Sequence, residues 1–268
     1  MTRSALRLDR LPGALSKRIG VARRVAREKD VRLFLVGGTV RDLLLRRPVK
    51  DVDLVVEGDA AGFARALSAA LGGRARAHER FGTAAVELSD GGRLDVAAAR
   101  RETYDGPGAL PRVQTARIEE DLARRDFTIN AMALELSAAV RPRLVDAFGG
   151  RRDLERRSLR FLHAHSPFDD PTRAFRAVRY ANRLGFRIAP DAGRAIRAAL
   201  RSGAFDAVSG DRLRRELELL FAERNRAAAV RRLAGLGLAA ALGARLQATG
   251  AALRRVHRAE RQIGRAHV

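Results

Sequence analysis

Asp51 and Asp53 alternate with Val52 and Leu54 in a short run that stays apolar to Val56. In an extended chain that alternation puts both carboxylates on one face and the valine and leucine on the other. Two acidic groups side by side repel each other unless a cation sits between them, so the pair reads as a platform for magnesium. Just upstream, Leu35-Val36-Gly37-Gly38-Thr39-Val40-Arg41-Asp42 ends an apolar run in two glycines and enters a helical pattern. Paired glycines between a strand and a helix let backbone N–H groups approach a phosphate beside the positive end of the helix. Arg41, one turn in, adds a guanidinium fork for phosphate oxygens. A phosphate cradle next to a metal platform is equipment for nucleotide chemistry.

Three further places carry chemistry. Asp95, in Arg93-Leu94-Asp95-Val96-Ala97, supplies either a third carboxylate for the metal or a strand-end aspartate paired with a nearby arginine; Glu87 competes for the same role. In Arg124-Arg125-Asp126-Phe127-Thr128-Ile129-Asn130-Ala131, Asp126 can orient an arginine, and Asn130 offers a donor and an acceptor for a sugar hydroxyl or a turn. Helix capping and internal ion pairs are the alternative for both. In Asp169 to Arg179, Asp170-Pro171 reads as an N-cap followed by proline at the first helical position. Arg173 follows one turn on, and Arg176 and Arg179 continue the stripe at three-residue steps. An aspartate acceptor beside an arginine donor can read the edge of a base, and the following arginines can hold phosphate. The alternative is a solvated basic helix with a capping aspartate. The histidines show no metal-ligand spacing, and Phe127, Phe161, Phe175, Phe186 and Phe221 read as core, not as a stacking platform.

The elements that position these residues follow from periodicity. Leu15 to Lys29 and Ala60 to Leu71 are expected helices, the second ended by Gly72-Gly73. Strands are expected over Leu33 to Val36, Asp51 to Glu57, Arg74 to His78, Thr83 to Leu88 and Arg93 to Ala98, the last two joined by the hairpin signal Asp90-Gly91-Gly92. That gives a mixed sheet of about five strands with flanking helices, an α+β head. Glu102 to Ala116 is turn-rich and aperiodic, an expected long loop. From Ile118 the pattern turns mostly helical, with a domain boundary expected near Gly149-Gly150.

The chain has 268 residues and a formal net charge of +22. Only Lys17, Lys29 and Lys50 are lysine; genome composition accounts for arginine over lysine but not for the net excess. Such an excess implies a polyanionic partner, and arginine pairs recur through both halves, among them Arg124-Arg125, Arg156-Arg157 and Arg214-Arg215. Diffuse charge of this kind binds phosphate backbones without reading sequence. No apolar run approaches the ~20 residues that span a bilayer, and the start lacks the apolar core of a signal peptide. With no cysteine, disulfides and thiolate metal sites are excluded. Ile263 to Val268 reads as translated sequencing adapter, outside the fold.

The glycine turn followed by the carboxylate strand resembles the nucleotidyltransferase signature of the tRNA CCA-adding enzymes and bacterial poly(A) polymerases, the class II branch of the polymerase-beta superfamily. The resemblance runs in consistent block order from Val31 to Leu242. Arg124 to Ala131 is similar to the family's Arg-Arg-Asp-x-Thr-x-Asn-Ala block. Asp169 to Arg173 resembles its Glu-Asp-x-x-Arg, with aspartate in place of the glutamate. The resemblance implies a nucleotidyltransferase head over residues 1–149, an all-helical neck that binds nucleotide and RNA over 150–262, and further helical domains in a longer gene. It implies Asp51, Asp53 and Asp95 as catalytic ligands of two magnesium ions. Gly37, Gly38, Arg41, Arg125, Asn130, Asp170, Arg173, Arg176 and Arg179 become nucleotide-binding, with Asp170 and Arg173 templating the base. CTP and ATP are the implied substrates and the 3′ end of tRNA the implied partner, in the cytoplasm, with no membrane and no obligate protein partner. His78 to Thr83 fits the tRNA enzymes better than the basic Gly-Arg-Arg-Phe-like segment of the poly(A) polymerases, and the long Glu102 to Ala116 loop fits an enzyme able to add A. Addition of A alone and poly(A) synthesis remain alternatives. A non-catalytic RNA-binding member is opposed by the intact Asp51, Asp53, Asp170 and Arg173. A small-molecule nucleotidyltransferase would not need the charge or the Asp170 to Arg179 stripe.

Overall fold

The computed structural model describes residues 11, 13–49, 52–78, 82–103, 112–138, 142–239 and 242. The chain divides into two compact units, the first carrying the sheet as far as Leu154 and the second beginning at Glu155. The first opens with α1 (Gly13–Glu28), β1 (Arg32–Val36), α2 (Gly38–Leu44), β2 (Asp53–Glu57) and α3 (Ala60–Leu71). There follow β3 (Arg74–His78), β4 (Thr83–Glu87), β5 (Arg93–Ala98), β6 (Arg100–Thr103), β7 (Arg112–Thr115), α4 (Ile118–Ala123), β8 (Ala133–Glu135), β9 (Arg143–Val145) and α5 (Gly150–Glu155). The main sheet has seven strands in the order β3-β4-β5-β2-β1-β8-β9. All its neighbours are antiparallel except β2 and β5, which run parallel.

β1 lies near the middle, and Leu33, Phe34, Leu35 and Val36 are all buried, which is why the run shows no alternation. α1 turns Leu15, Ile19, Ala22, Val25 and Ala26 inward and packs against α3, which buries Phe63, Ala64 and Leu67. Asp59 caps α3 by accepting the Gly62 N–H at 2.9 Å, and Gly72 ends it at φ +65°.

Seven strands replace the expected five, because β8 and β9 are three residues each and β8 is buried throughout. A strand covered on both faces has no period of two to read. Glu135, the charged member of β8, is buried, which by itself would raise its pKa. Arg32 Nε at 3.0 Å and Arg143 Nη2 at 2.7 Å instead hold it below the usual carboxylate value.

The segment expected as a long loop is a two-stranded ribbon at its ends, with Arg100 to Thr103 paired to Arg112 through Thr115; residues 104–111 lie outside those described. Its strands are too polar to show a hydrophobic face. Ion pairs tie the ribbon down. Arg124 donates to Glu102 Oε1 at 2.7 Å and to Asp121 Oδ1 at 2.6 Å, and its Nε donates to the Arg100 carbonyl at 3.2 Å. Arg125 Nη2 donates to Asp121 Oδ2 at 2.9 Å. Asp121 is fully buried, which by itself would raise its pKa; the Arg125 and Arg124 guanidiniums pull it below the usual carboxylate value.

The second unit contains β10 (Ser158–Leu159), α6 (Ser166–Asp169), α7 (Thr172–Leu184), β11 (Arg187–Ile188), α8 (Pro190–Arg201), α9 (Gly210–Phe221) and α10 (Arg226–Gly235). Among its described residues it is helical apart from one parallel pair, β10 with β11, which corrects the all-helical expectation. Two residues per strand are too short for periodicity to reveal. The adapter-like residues 263–268 lie outside those described.

Two stability outcomes follow. Asp121→Asn should cost about 3–5 kcal/mol, since it leaves buried guanidinium charge uncompensated. A carboxylate whose folded pKa is depressed stabilises the fold above its unfolded value, ~3.9, and that share is lost as pH falls through the folded value. Wild type should therefore lose stability below about pH 4 more steeply than the Asn variant, which keeps only the share of other depressed carboxylates such as Glu135, as read by urea melts across pH. Gly150→Ala should cost about 1–3 kcal/mol, because the added methyl meets the Thr128 carbonyl and lies 2.9 Å from Met132 Cγ. Gly20→Ala on the open face of α1, where nothing lies within 4 Å, should instead stabilise by about 0.5–1 kcal/mol. Equal effects at the two glycines would contradict the packing.

Candidate active site

The parallel pairing of β2 with β5 sets Asp53 opposite Asp95. Register partners on neighbouring strands, ~4.8 Å apart, project to the same side of a sheet, so the two carboxylates share one face. Asp53 is exposed at the first position of β2, where its N–H donates to Thr39 Oγ1 at 3.5 Å. Asp95 is half-exposed, and its Oδ1 accepts from Arg93 Nε at 2.9 Å and Nη2 at 2.7 Å. Both aspartates line a cleft of about 320 Å³ together with Arg93, Arg124, Arg125 and Thr83. Asp51 lies outside the described residues. Glu87, the competing candidate, pairs with Arg76 at 3.3 Å and is not part of the cleft lining.

A divalent cation suits this donor set. Paired carboxylates are hard oxygen ligands, and Asp95 already draws a cationic side chain onto itself. Among the described residues no third His, Asp or Glu joins the two aspartates in a metal-binding group.

The glycine turn follows directly on β1 and leads into α2. Gly37 is at φ +63°, a conformation that favours glycine, and its N–H donates to the Met132 carbonyl at 3.2 Å. A Cβ there would stand 2.7 Å from Arg125 Nη1, so the bare glycine gives that guanidinium its place. Gly38 begins α2, and a Cβ on it would meet Arg41 Nη2 at 3.4 Å. Arg41 itself is buried. Its Nε and Nη2 donate to Asp42 at 3.0 and 2.9 Å, and its Nη1 donates to Asn130 Oδ1 at 2.8 Å. Asn130 Nδ2 in turn donates to Asp126 Oδ1 at 3.1 Å, which also accepts the Phe127 N–H at 2.8 Å. Arg41, Asn130 and Asp126 thus form one buried chain running from α2 to the Arg124-Arg125-Asp126 block, which realises the internal-pairing alternative for the last two.

In the second unit Asp170 Oδ1 accepts the Thr172 N–H at 3.1 Å and its hydroxyl at 2.6 Å and also accepts Arg212 Nη2 at 2.9 Å; the N-cap of α7 is Pro171, one residue later than the expected Asp170. Arg173 is buried and donates to Ser166 Oγ at 2.8 Å. Arg176 and Arg179 lie 3.8 and 3.4 Å from Glu216 of α9 and flank the Tyr180 ring at 5.7 and 5.1 Å. Glu216 and Arg212 were not among the expected site residues, and neither were Arg93, Arg124 and Thr83. Arg93 had a readable signal, two residues before Asp95 and so on the same strand face. Glu216 and Arg212 had none, because their partners are about forty residues away.

Residues 33–160 match the Poly A polymerase head domain. An A-adding tRNA nucleotidyltransferase of Geobacter sulfurreducens is 44% identical over 215 residues, which cover 80% of this chain and 24% of that protein. A CC-adding tRNA nucleotidyltransferase of Deinococcus radiodurans is 42% identical over 210 residues, covering 78% of this chain and 54% of the relative. Among solved structures, an apo form of a CCA-adding enzyme superposes with a TM-score of 0.90 at 36% identity, over 97% of this chain and 61% of the other. The chain therefore spans about a quarter of the first relative's length and about half of the second's. With that head domain, these relatives and a carboxylate pair set in register on the head's central strands, the chain belongs to the tRNA nucleotidyltransferase/poly(A) polymerase family.

Proposed function

We propose that this protein is an enzyme that adds nucleotides of the CCA sequence to the 3′ end of tRNA, using CTP and ATP, in the cytoplasm. The observation that carries the reading is the Asp53–Asp95 register over a cleft walled by Arg93, Arg124 and Arg125. In the reaction the oxygen of the RNA 3′-hydroxyl bonds to the α-phosphorus of the nucleotide. The α–β phosphoanhydride bond breaks, pyrophosphate leaves, and the hydroxyl proton passes to solvent.

Asp53 and Asp95, with Asp51, are assigned as the residues that would hold two magnesium ions. Such ions supply charge stabilisation for the triphosphate and lower the pKa of the hydroxyl. The protein's own part is positioning. Asp121 fixes Arg124 and Arg125 before substrate arrives, so guanidinium charge faces the cleft without reorganisation. Arg93 is a permanent cation within reach of the same space. Gly37 leaves room for Arg125, and Asn130 holds Arg41. In the second unit Asp170 and Arg173 are assigned to reading the base, and Arg176 and Arg179 to supporting the nucleotide.

Three tRNA transcripts, ending before CCA, after C and after CC, each incubated with one labelled nucleotide, test the reading. Incorporation of C on the first two and A on the third is the expected outcome. Label on the third alone would narrow the activity to A addition, and label on none would overturn it. Asp53→Asn and Asp95→Asn should each lower incorporation by at least about a hundredfold while the melting temperature and RNA affinity stay near wild type. Near-normal magnesium-dependent incorporation by both would remove the pair from the metal platform.

Asp170→Ala and Arg173→Ala should damage the choice between CTP and ATP more than RNA affinity, by ~1–3 kcal/mol of discrimination. Arg176→Ala should weaken both nucleotides alike. An unchanged CTP-to-ATP preference in both of the first two variants would sink the base-reading assignment.

A further inference from the structure

Most arginines discussed so far are held by carboxylates inside the fold. Arg156, Arg157 and Arg187 are not. All three are exposed and line one shallow concavity together with Gly185. Among the described residues none of them has a side-chain hydrogen bond or an ion pair.

The placement is built by the backbone. β10 and β11 pair in parallel with Ser158 opposite Arg187, and the Arg187 N–H donates to the Arg157 carbonyl at 3.0 Å. That bond sets Arg157 and Arg187 side by side across the pair. Arg157 takes φ +49°, a left-handed conformation that few residues other than glycine, asparagine and aspartate adopt readily. A large cation kept at such a position costs more than a glycine would. Gly185, at φ +71°, ends α7, and a Cβ there would meet nothing within 4 Å, so the floor stays open. The carbonyl end of α7 contributes about half a negative charge, far less than three guanidiniums. The concavity therefore holds a net positive field with no acidic side chain in its lining, in a shape that admits more than one anionic group.

We propose that this concavity is a docking surface for the phosphodiester backbone of RNA, taking successive phosphates through Arg156, Arg157 and Arg187 without reading bases. The choice of RNA rests on the tRNA substrate proposed above and on the chain's net charge of +22. Guanidinium forks suit the paired oxygens of a phosphodiester. Contacts of this kind fix a polynucleotide's orientation and carry no sequence information.

The test compares two triple variants of the full chain: Arg156→Ala/Arg157→Ala/Arg187→Ala, and Arg194→Ala/Arg197→Ala/Arg201→Ala at exposed positions of α8. Both remove the same charge. Binding of a tRNA transcript is measured from 50 to 300 mM salt, with melting temperature as the check on folding. The concave triple should weaken tRNA binding at least about tenfold at 150 mM salt and flatten the log–log salt dependence by about 2. The α8 triple should change affinity about threefold or less, and restoring charge as Arg→Lys at the three concave positions should recover most of the slope. Unchanged affinity and slope in the concave triple would overturn the proposal, as would an equal loss in the α8 triple, which would mean diffuse charge. Loss of adhesion to phosphatidylserine vesicles with RNA binding intact would overturn it in favour of a membrane. Nucleotide incorporation by wild type is scored separately: its absence would end the transferase reading while the binding comparison still judged this surface.

Discussion

Two carboxylates fixed on adjacent strands repel each other, and the architecture of the first unit is arranged to keep them there. At the ~5 Å separation of neighbouring strands, two unit charges near a protein surface oppose each other by about 3 kcal/mol. Asp53 and Asp95 stay opposed because β2 and β5 are joined by parallel pairing, the one parallel contact in the main sheet among the described residues. Parallel neighbours need a long crossover connection, which α3, β3 and β4 supply. Leu54, Val55 and Val56 are buried directly behind Asp53, as are Leu94 and Val96 around Asp95. A slip of one residue would turn the carboxylates into the core, so burial holds the register against the repulsion. Arg93 offsets part of the charge, and a divalent cation would offset more.

The second constraint is the fully buried Asp121. Three charged side chains, Arg124, Arg125 and Glu102, are arranged around one carboxylate that has no access to water. Their arrangement fastens the β6–β7 ribbon to α4 and aims two guanidiniums along the wall of the Asp53–Asp95 cleft. Stability and site geometry thus share the same bonds. Removing the carboxylate disturbs both at once, and a loss of activity there reports positioning, not chemistry.

The main elements were legible because their burial is one-sided or complete over several residues. α1, α3, β1, β2 and the β4–β5 hairpin all carry a pattern that survives in the bare sequence. Elements without a pattern of their own were lost: β8 because both faces are covered, β6 and β7 because neither face is apolar, β10 and β11 because two residues cannot show a period. The same division holds in the site. Asp53 and Asp95 could be paired as candidates from strand alternation, but their register could not, since it depends on which strand follows which in space. Asn130 and Asp126 were readable as hydrogen-bonding residues, yet only packing shows them holding Arg41. Glu216 and Arg212 could not be found from local spacing at all.

The same distinction governs what the charge of the chain means. A net +22 invites the view that every arginine is available to a polyanion. In the structure Arg41, Arg124, Arg125, Arg179 and Arg183 are bound to carboxylates of the fold. A guanidinium already paired with a carboxylate contributes little to counterion release, because it neutralises phosphate only by giving up its partner. The effective charge presented to a polyanion is therefore set by the unpaired arginines and by where they cluster. An even scatter of them would give weak, orientation-blind binding. A concave group such as Arg156, Arg157 and Arg187 lets several phosphates be neutralised in one pose, which turns the same charge into an orientation of the polynucleotide.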